Sequence, residues 1–257
     1  MKQMNFSRSC PICGNLIWYT RKDDYRKALR KNTKCAKCAA INNTGCFKKG
    51  GRPFDYHLNE STIPKFNLDK LLDENLISLY WLGFILADGS FYNYKFELGL
   101  NEKDKSHLIE FANYIGYDTN KITHKENTNS NSILFSNRFS IPMVMKKWDI
   151  HYQKTYNPCD FTYFNHLSNE QLLSLLCGII DGDGHIDANS GSTSITSHIN
   201  WESFYDNLFS RFPYKISKRI RQNIICYNLL KDWRIVLLQY IQNHNLPLLN
   251  RKWNRLK

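Results

Sequence analysis

Two aspartates, Asp88 and Asp183, each end an apolar run of helical length, and each is followed by a glycine, Gly89 or Gly184. The runs are Trp81-Leu-Gly-Phe-Ile-Leu-Ala-Asp88-Gly89 and Leu176-Cys-Gly-Ile-Ile-Asp-Gly-Asp183-Gly184, 95 residues apart. A buried apolar helix that ends in a carboxylate is costly unless something binds the charge. Two such ends side by side repel unless a cation sits between them. Hard oxygen donors suit Mg2+, so the expected site takes the carboxylates of Asp88 and Asp183 together with the flanking Gly89 and Gly184. Its chemistry would be metal-assisted phosphodiester hydrolysis. One helix followed by Asp-Gly is ordinarily no more than a C-terminal turn, and the pair is what points to a site. A calcium loop starting at Asp181 is excluded, because its sixth position is Ile186 instead of glycine and its twelfth is Ser192 instead of glutamate.

Helices are expected over Leu71–Ala87 and Glu170–Gly182. In the first, Leu76, Leu79, Gly83 and Ala87 share a face; in the second, Ser174, Gly178 and Gly182 do. Small residues four apart let two helix backbones approach closely, which would bring Asp88 and Asp183 together. Beyond each helix the pattern repeats. Strands near 91–94 and 95–100, a helix from Asp104 to Ile115, strands at 121–125 and 133–136 and a helix from about Ile141 make the first copy. Strands near 185–187 and 192–197, a helix over 201–212, strands at 214–219 and 224–229 and a helix over 232–242 make the second. The fold class is therefore α+β, with two pseudo-symmetric αββαββα repeats.

The 257 residues carry 35 Lys and Arg against 23 Asp and Glu, a net charge of +12 that favours a polyanionic partner. No apolar run approaches the ~18 residues that span a bilayer, so no membrane partner is expected. The first residues lack the apolar core of a secretion signal, which leads to an intracellular, reducing compartment as the expectation. That compartment would be the cytoplasm of a bacterial or phage-infected host, or an organelle. Eight cysteines there point to metal ligation before disulfides.

Four of them form Cys10-Pro-Ile-Cys13 and Cys35-Ala-Lys-Cys38, with 21 residues between the pairs. Four thiolates are the ligand set of a structural, tetrahedral Zn2+ site. A segment this short and basic is too small to build a core without a metal. A short helix is expected over 23–30, acidic at its start and basic at its end, and a linker over 41–53. The expected organisation is a basic zinc-ribbon-like module over 1–55, a first half over 56–157 and a second over 158–257. Cys46, Cys159, Cys177 and Cys226 have no paired spacing and read as core or incidental residues.

Over roughly residues 70 to 257 the two acidic segments resemble the motif of the LAGLIDADG homing endonucleases, in the single-chain form with two copies. Glycine is third, aspartate eighth and glycine ninth in both, while Leu86 replaces the usual aspartate at position six of the first. The resemblance implies that Asp88 and Asp183 are the metal-binding catalytic acids. It implies two curved antiparallel sheets forming a DNA-binding saddle, and a staggered cut at a long, non-palindromic site by a monomer. Lys154, in Gln153-Lys154-Thr155-Tyr156, and Lys252, in Arg251-Lys252-Trp253, look like the family's lysine near the active site, with Lys231 and Arg251 as stand-ins. Candidate DNA contacts are Lys95, Glu97, Lys121, His124, Asn137, Arg138, Lys215, Lys218, Arg219 and Arg221. The function expected is a Mg2+-dependent, sequence-specific DNA endonuclease of the intron-homing type, its gene either within an intron or free-standing, with the zinc module as an auxiliary DNA clamp. Its rivals are a maturase that binds intron RNA and a DNA-binding regulator that does not cut. Two retained acids favour cleavage, because a pure binder gains nothing from adjacent carboxylates.

Overall fold

The computed structural model describes residues 6–35, 38, 67–92 and 94–256. The expected linker at 41–53 and Cys46 lie outside the described residues. Residues 1–63 and 64–257 form separate compact units. Among the described residues no helix is long and apolar enough to cross a membrane.

In the first unit, strands β1 (Phe6–Ser9) and β2 (Leu16–Tyr19) pair as an antiparallel hairpin, followed by helix α1 (Lys22–Arg30). Asp23 and Asp24 sit in the first turn of α1 and Lys27 and Arg30 in its last, complementing the helix dipole. Tyr25 of α1 stacks on Phe6 at 5.7 Å and meets Tyr19 edge-on at 5.9 Å, joining the helix to the hairpin. The hairpin was not anticipated from the sequence, because its four-residue strands are too short for alternation to register.

The second unit carries the repeat. Its first copy runs α2 (Leu76–Asp88), β3 (Gly89–Tyr92), β4 (Lys95–Asn101), α3 (Lys105–Ile115), β5 (Thr123–Lys125), β6 (Ser130–Ser136) and α4 (Ser140–Lys147). The second runs α5 (Asn169–Asp183), β7 (Gly184–Ile186), β8 (Thr193–His198), α6 (Glu202–Ser210), β9 (Ile216–Arg221), β10 (Ile224–Leu229) and α7 (Lys231–Asn243), followed by a last turn, α8 (Asn250–Trp253). Each copy builds a four-stranded antiparallel sheet in one order, β3-β4-β6-β5 and β7-β8-β10-β9. One face of each sheet is apolar and meets the helices, through Phe96, Leu98, Ile133 and Phe135 in one and Ile195, Ile225, Tyr227 and Leu229 in the other. The opposite face is open and mixed, carrying polar and charged side chains together with exposed Tyr92, Leu134 and Ile224.

The first motif helix is shorter than expected. Residues Leu68–Leu72 form a separate 3-10 turn, and α2 starts at Leu76 because the Asn75 side chain accepts the Ser78 N–H at 2.9 Å. Helix α5 starts the same way, Ser168 and Gln171 forming a capping box. Nearly every residue of α2 from Ser78 to Leu86 is buried, as an all-round apolar helix requires.

Helices α2 and α5 run parallel and touch through their backbones. A Cβ on Gly83 would overlap the Leu175 carbonyl oxygen, and one on Gly178 would overlap that of Tyr80. One turn on, Gly182 lies against the Ala87 methyl, and one turn back the Ser174 hydroxyl donates to the Leu76 carbonyl at 2.5 Å. The expected small-residue interface of Gly83, Ala87, Gly178 and Gly182 is thus the helix contact. Gly178→Ala should cost about 4 kcal/mol or more, since backbone blocks the new methyl on the facing helix. Urea unfolding measures this, and a cost under about 1 kcal/mol would mean that the helices separate freely.

Candidate active site

Because α2 and α5 are parallel and in register, both end at one place. Asp88 is the last residue of α2 and Asp183 the last of α5, and both carboxylates keep access to solvent. Protein atoms crowd them from behind. Desolvation, followed by the charge of Asp183, raises Asp88 from 3.8 to about 6, with Lys252 and Lys154 opposing. Asp183 is raised as well, by desolvation, against the pull of Lys154 and Lys252. Carboxylates that repel each other and resist ionising suit a hard divalent cation between them.

Lys154 and Lys252 close the helix ends. The Lys154 ammonium donates to the carbonyls of Leu86 and Ala87, both at 2.6 Å. Lys252 donates to those of Ile180, Asp181, Gly182 and Gly184 at 2.6–3.1 Å. Each supplies positive charge where the helix dipole is negative and satisfies otherwise orphan carbonyls. Burial lowers the pKa of both, and the nearby aspartates offset it. The Gly184 carbonyl, an expected metal ligand, accepts from Lys252 at 2.7 Å, and Gly89 starts β3. Beside Asp183 a cleft of about 230 Å³ is lined by Lys154, Thr155, Thr196, His198 and Tyr205.

A third carboxylate, buried, was not singled out as a site residue from the sequence. Asp181 accepts from the Tyr80 hydroxyl at 2.6 Å, the Trp253 indole at 2.7 Å and the Leu249 N–H at 3.0 Å. Desolvation raises its pKa, and these three donors lower it. Tyr80 is also in contact with His107 Nε2 at 3.0 Å. Asp181 thus ties the first motif helix and the chain's last turn to the second motif helix. The signal was present as an acid at position six of one apolar helix, where the other copy has Leu86. Arg251, a stand-in for the catalytic lysine, is taken instead by Asp104, with bidentate bonds of 2.5 and 2.6 Å across the two halves. Lys231 is an exposed residue at the start of α7.

The DNA-contact candidates separate by face. Lys95 and Glu97 point to the bare side of the first sheet, Arg219 and Arg221 to that of the second. Lys218 alternates to the helix side, where it donates to Glu202 at 2.9 Å and Asp206 at 2.7 Å. It therefore does not join the arginines on the bare face. Asn137 caps α4 by accepting the N–H groups of Phe139 and Ser140, and His124 pairs with Glu102 at 3.2 Å. Lys121, Arg138 and Lys215 are exposed outside the strands.

In the first unit the sulfurs of Cys10, Cys13, Cys35 and Cys38 all lie within 4.8 Å of one another. Cys13 and Cys35 are 3.6 Å apart, too far for a disulfide and close to the ~3.8 Å expected across a Zn2+ tetrahedron with ~2.3 Å bonds. Gly14, at φ +74°, turns the chain after Cys13, and the Cys35 N–H donates to the Cys10 sulfur at 3.2 Å. That bond lowers the Cys10 thiol to about 6. Cys159 and Cys177 are buried in the core of the second unit.

No family model matches the sequence, and no curated protein does. Solved structures do match. The I-LtrWI LAGLIDADG homing endonuclease bound to target DNA superposes with a TM-score of 0.50 at 15% identity, covering 71% of this chain and 87% of that one. The fold is that of the LAGLIDADG homing endonucleases. The meganuclease I-AabMI bound to uncleaved DNA (TM-score 0.49, 16% identity, 71% and 87% covered) is also similar. So is I-SmaMI bound to an uncleaved DNA target with calcium ions (0.47, 15%, 68% and 86%). In the terms of this LAGLIDADG fold, the paired sheets are the saddle and α2 and α5 its central helices.

The raised Asp88 has a consequence for stability. Its folded pKa exceeds the ordinary value, so the group favours the fold in acid, and that contribution is lost as pH rises through about 6. Asp88→Asn is expected to stabilise the metal-free protein at about pH 7.5, by about 1 kcal/mol after solvent screening, and to change little near pH 4. Thermal unfolding at the two pH values checks this; a variant less stable than the parent at the higher pH contradicts it.

Proposed function

We propose that the chain is a sequence-specific double-stranded DNA endonuclease that makes a staggered cut by Mg2+-dependent phosphodiester hydrolysis. The observation that carries the reading is the delivery of Asp88 and Asp183 to one point between two sheets that each leave a face bare. Asp88 and Asp183 are the residues that would hold Mg2+. When bound, Mg2+ supplies charge stabilisation for the phosphate and its leaving oxygen and acidifies an attacking water. Lys154 and Lys252 fix the two helix ends, so the carboxylates do not have to reorganise, and add positive charge beside the phosphate. The bare sheet faces, lying in the major groove, read base edges over a long site. Since the two halves share little sequence, that site is non-palindromic, and one chain serves as the working unit. This chain's similarity to endonucleases solved on DNA supports the same substrate class.

The test is cleavage of a randomised or source-genome duplex library with Mg2+, the ends being sequenced. Recurrent staggered ends that vanish in both Asp88→Asn and Asp183→Asn are expected. Specific retention of duplex without cuts by the parent would replace the reading with a DNA-binding regulator, and binding confined to structured RNA with a maturase.

Cys10, Cys13, Cys35 and Cys38 would hold a structural Zn2+, and the basic charge around them makes the first unit an auxiliary clamp on phosphates. The purified chain should release one zinc ion per molecule on thiol modification, and a Cys10→Ser, Cys13→Ser double variant none. A metal-free parent with four reactive thiols would contradict the assignment.

A further inference from the structure

The two bare sheet faces differ in the balance of charged and apolar groups they present. In the second sheet, cross-strand register sets Thr196, Cys226 and Arg219 in one row and His198, Ile224 and Arg221 in the next. Both arginines are exposed, and neither forms an ion pair among the described residues. The strand residues facing the same way include no acid. Lys218, immediately before the first arginine, is turned inward and neutralised by Glu202 and Asp206. The strand thus uses its first cation internally and leaves the next two available.

In the first sheet the corresponding rows are Ser90, Glu97 and Leu134, then Tyr92, Lys95 and Ser136. Leu134 is 52% exposed and Tyr92 65%, both on the side away from the core. Glu97 accepts from Lys125 at 2.7 Å, so each offsets the other's charge. This face offers Leu134, Tyr92 and hydroxyls beside one exposed cation, Lys95, where its counterpart offers two guanidinium groups beside the exposed Ile224.

We propose that the two halves read targets of different composition, Arg219 and Arg221 reading guanines in one half-site and Leu134 and Tyr92 reading thymines in the other. The inference rests on the endonuclease reading above. In the major groove guanine displays two acceptors, O6 and N7, spaced for the arginine fork, whereas thymine alone displays a methyl group for apolar contact. An exposed leucine on a groove-facing strand loses least where it meets that methyl, because other bases would leave a polar edge desolvated against it. The target is therefore asymmetric in composition as well as in sequence.

Binding selection from randomised duplexes, with the full chain carrying Asp183→Asn to prevent cutting, tests this. The expected motif has guanines confined to one half and a thymine-rich other half. Adding Arg219→Ala or Arg221→Ala should relax preference at one guanine position, roughly 10- to 100-fold. The corresponding lysine variants should restore overall affinity without restoring that preference, because lysine keeps the charge and loses the fork. Leu134→Ser should relax thymine preference in the other half only. A specific motif whose halves are alike, or arginine variants that weaken all sequences equally as phosphate contacts would, overturns the inference and leaves the endonuclease reading standing. Enrichment of no duplex at all overturns both.

Discussion

The structure depends on backbone contact between two helices. At Gly83 and Gly178 each helix lies against a carbonyl of the other, with no side chain between. Such close approach makes the separation of the helix ends, and with it that of two carboxylates, a matter of main-chain geometry instead of side-chain rotamers. Ala87 beside Gly182 and Ser174 bonded to the Leu76 carbonyl hold the same register a turn to either side. The rest of each half hangs from this axis. The residue after each aspartate is the first of a strand, so the two sheets leave the axis from the point where the acids sit.

Placing two anions at the ends of buried helices also sets them against the negative ends of two helix dipoles. The chain offsets this with Lys154 and Lys252, each delivered from beyond the last long helix of its own repeat. Their arrangement is unequal. Lys252 closes four carbonyls and is itself buried, while Lys154 closes two beside an open cleft. The Asp181 network and the Arg251–Asp104 pair add further ties near the chain's end, both reaching the first half. The halves that share a plan have therefore diverged in how firmly each helix end is held.

Much of this was readable from residue order. Four-residue spacing of glycine and alanine revealed the helix contact because close packing tolerates nothing larger. Strand and helix order followed from hydrophobic period, which burial imposes. Element ends were less legible, since they are decided by single caps such as Asn75, whose side-chain bond has no periodic signature. The face of Lys218 was not readable either. Alternation on β9 depends on its register with β10, and a cation reads the same whichever way it points. Likewise the lysines could be picked near the site, but their partners are carbonyls about 70 residues away along the chain, which no local pattern encodes.

We propose that Asp88 and Asp183 share one cation between them. Loading the full chain with Fe2+ in place of Mg2+ and adding ascorbate and peroxide generates radicals at the bound ion, and mass spectrometry then maps the backbone breaks. Breaks next to both residue 88 and residue 183 are expected, lost together in either Asp88→Asn or Asp183→Asn. Breaks near one aspartate that persist when the other is replaced would show two independent sites and contradict it.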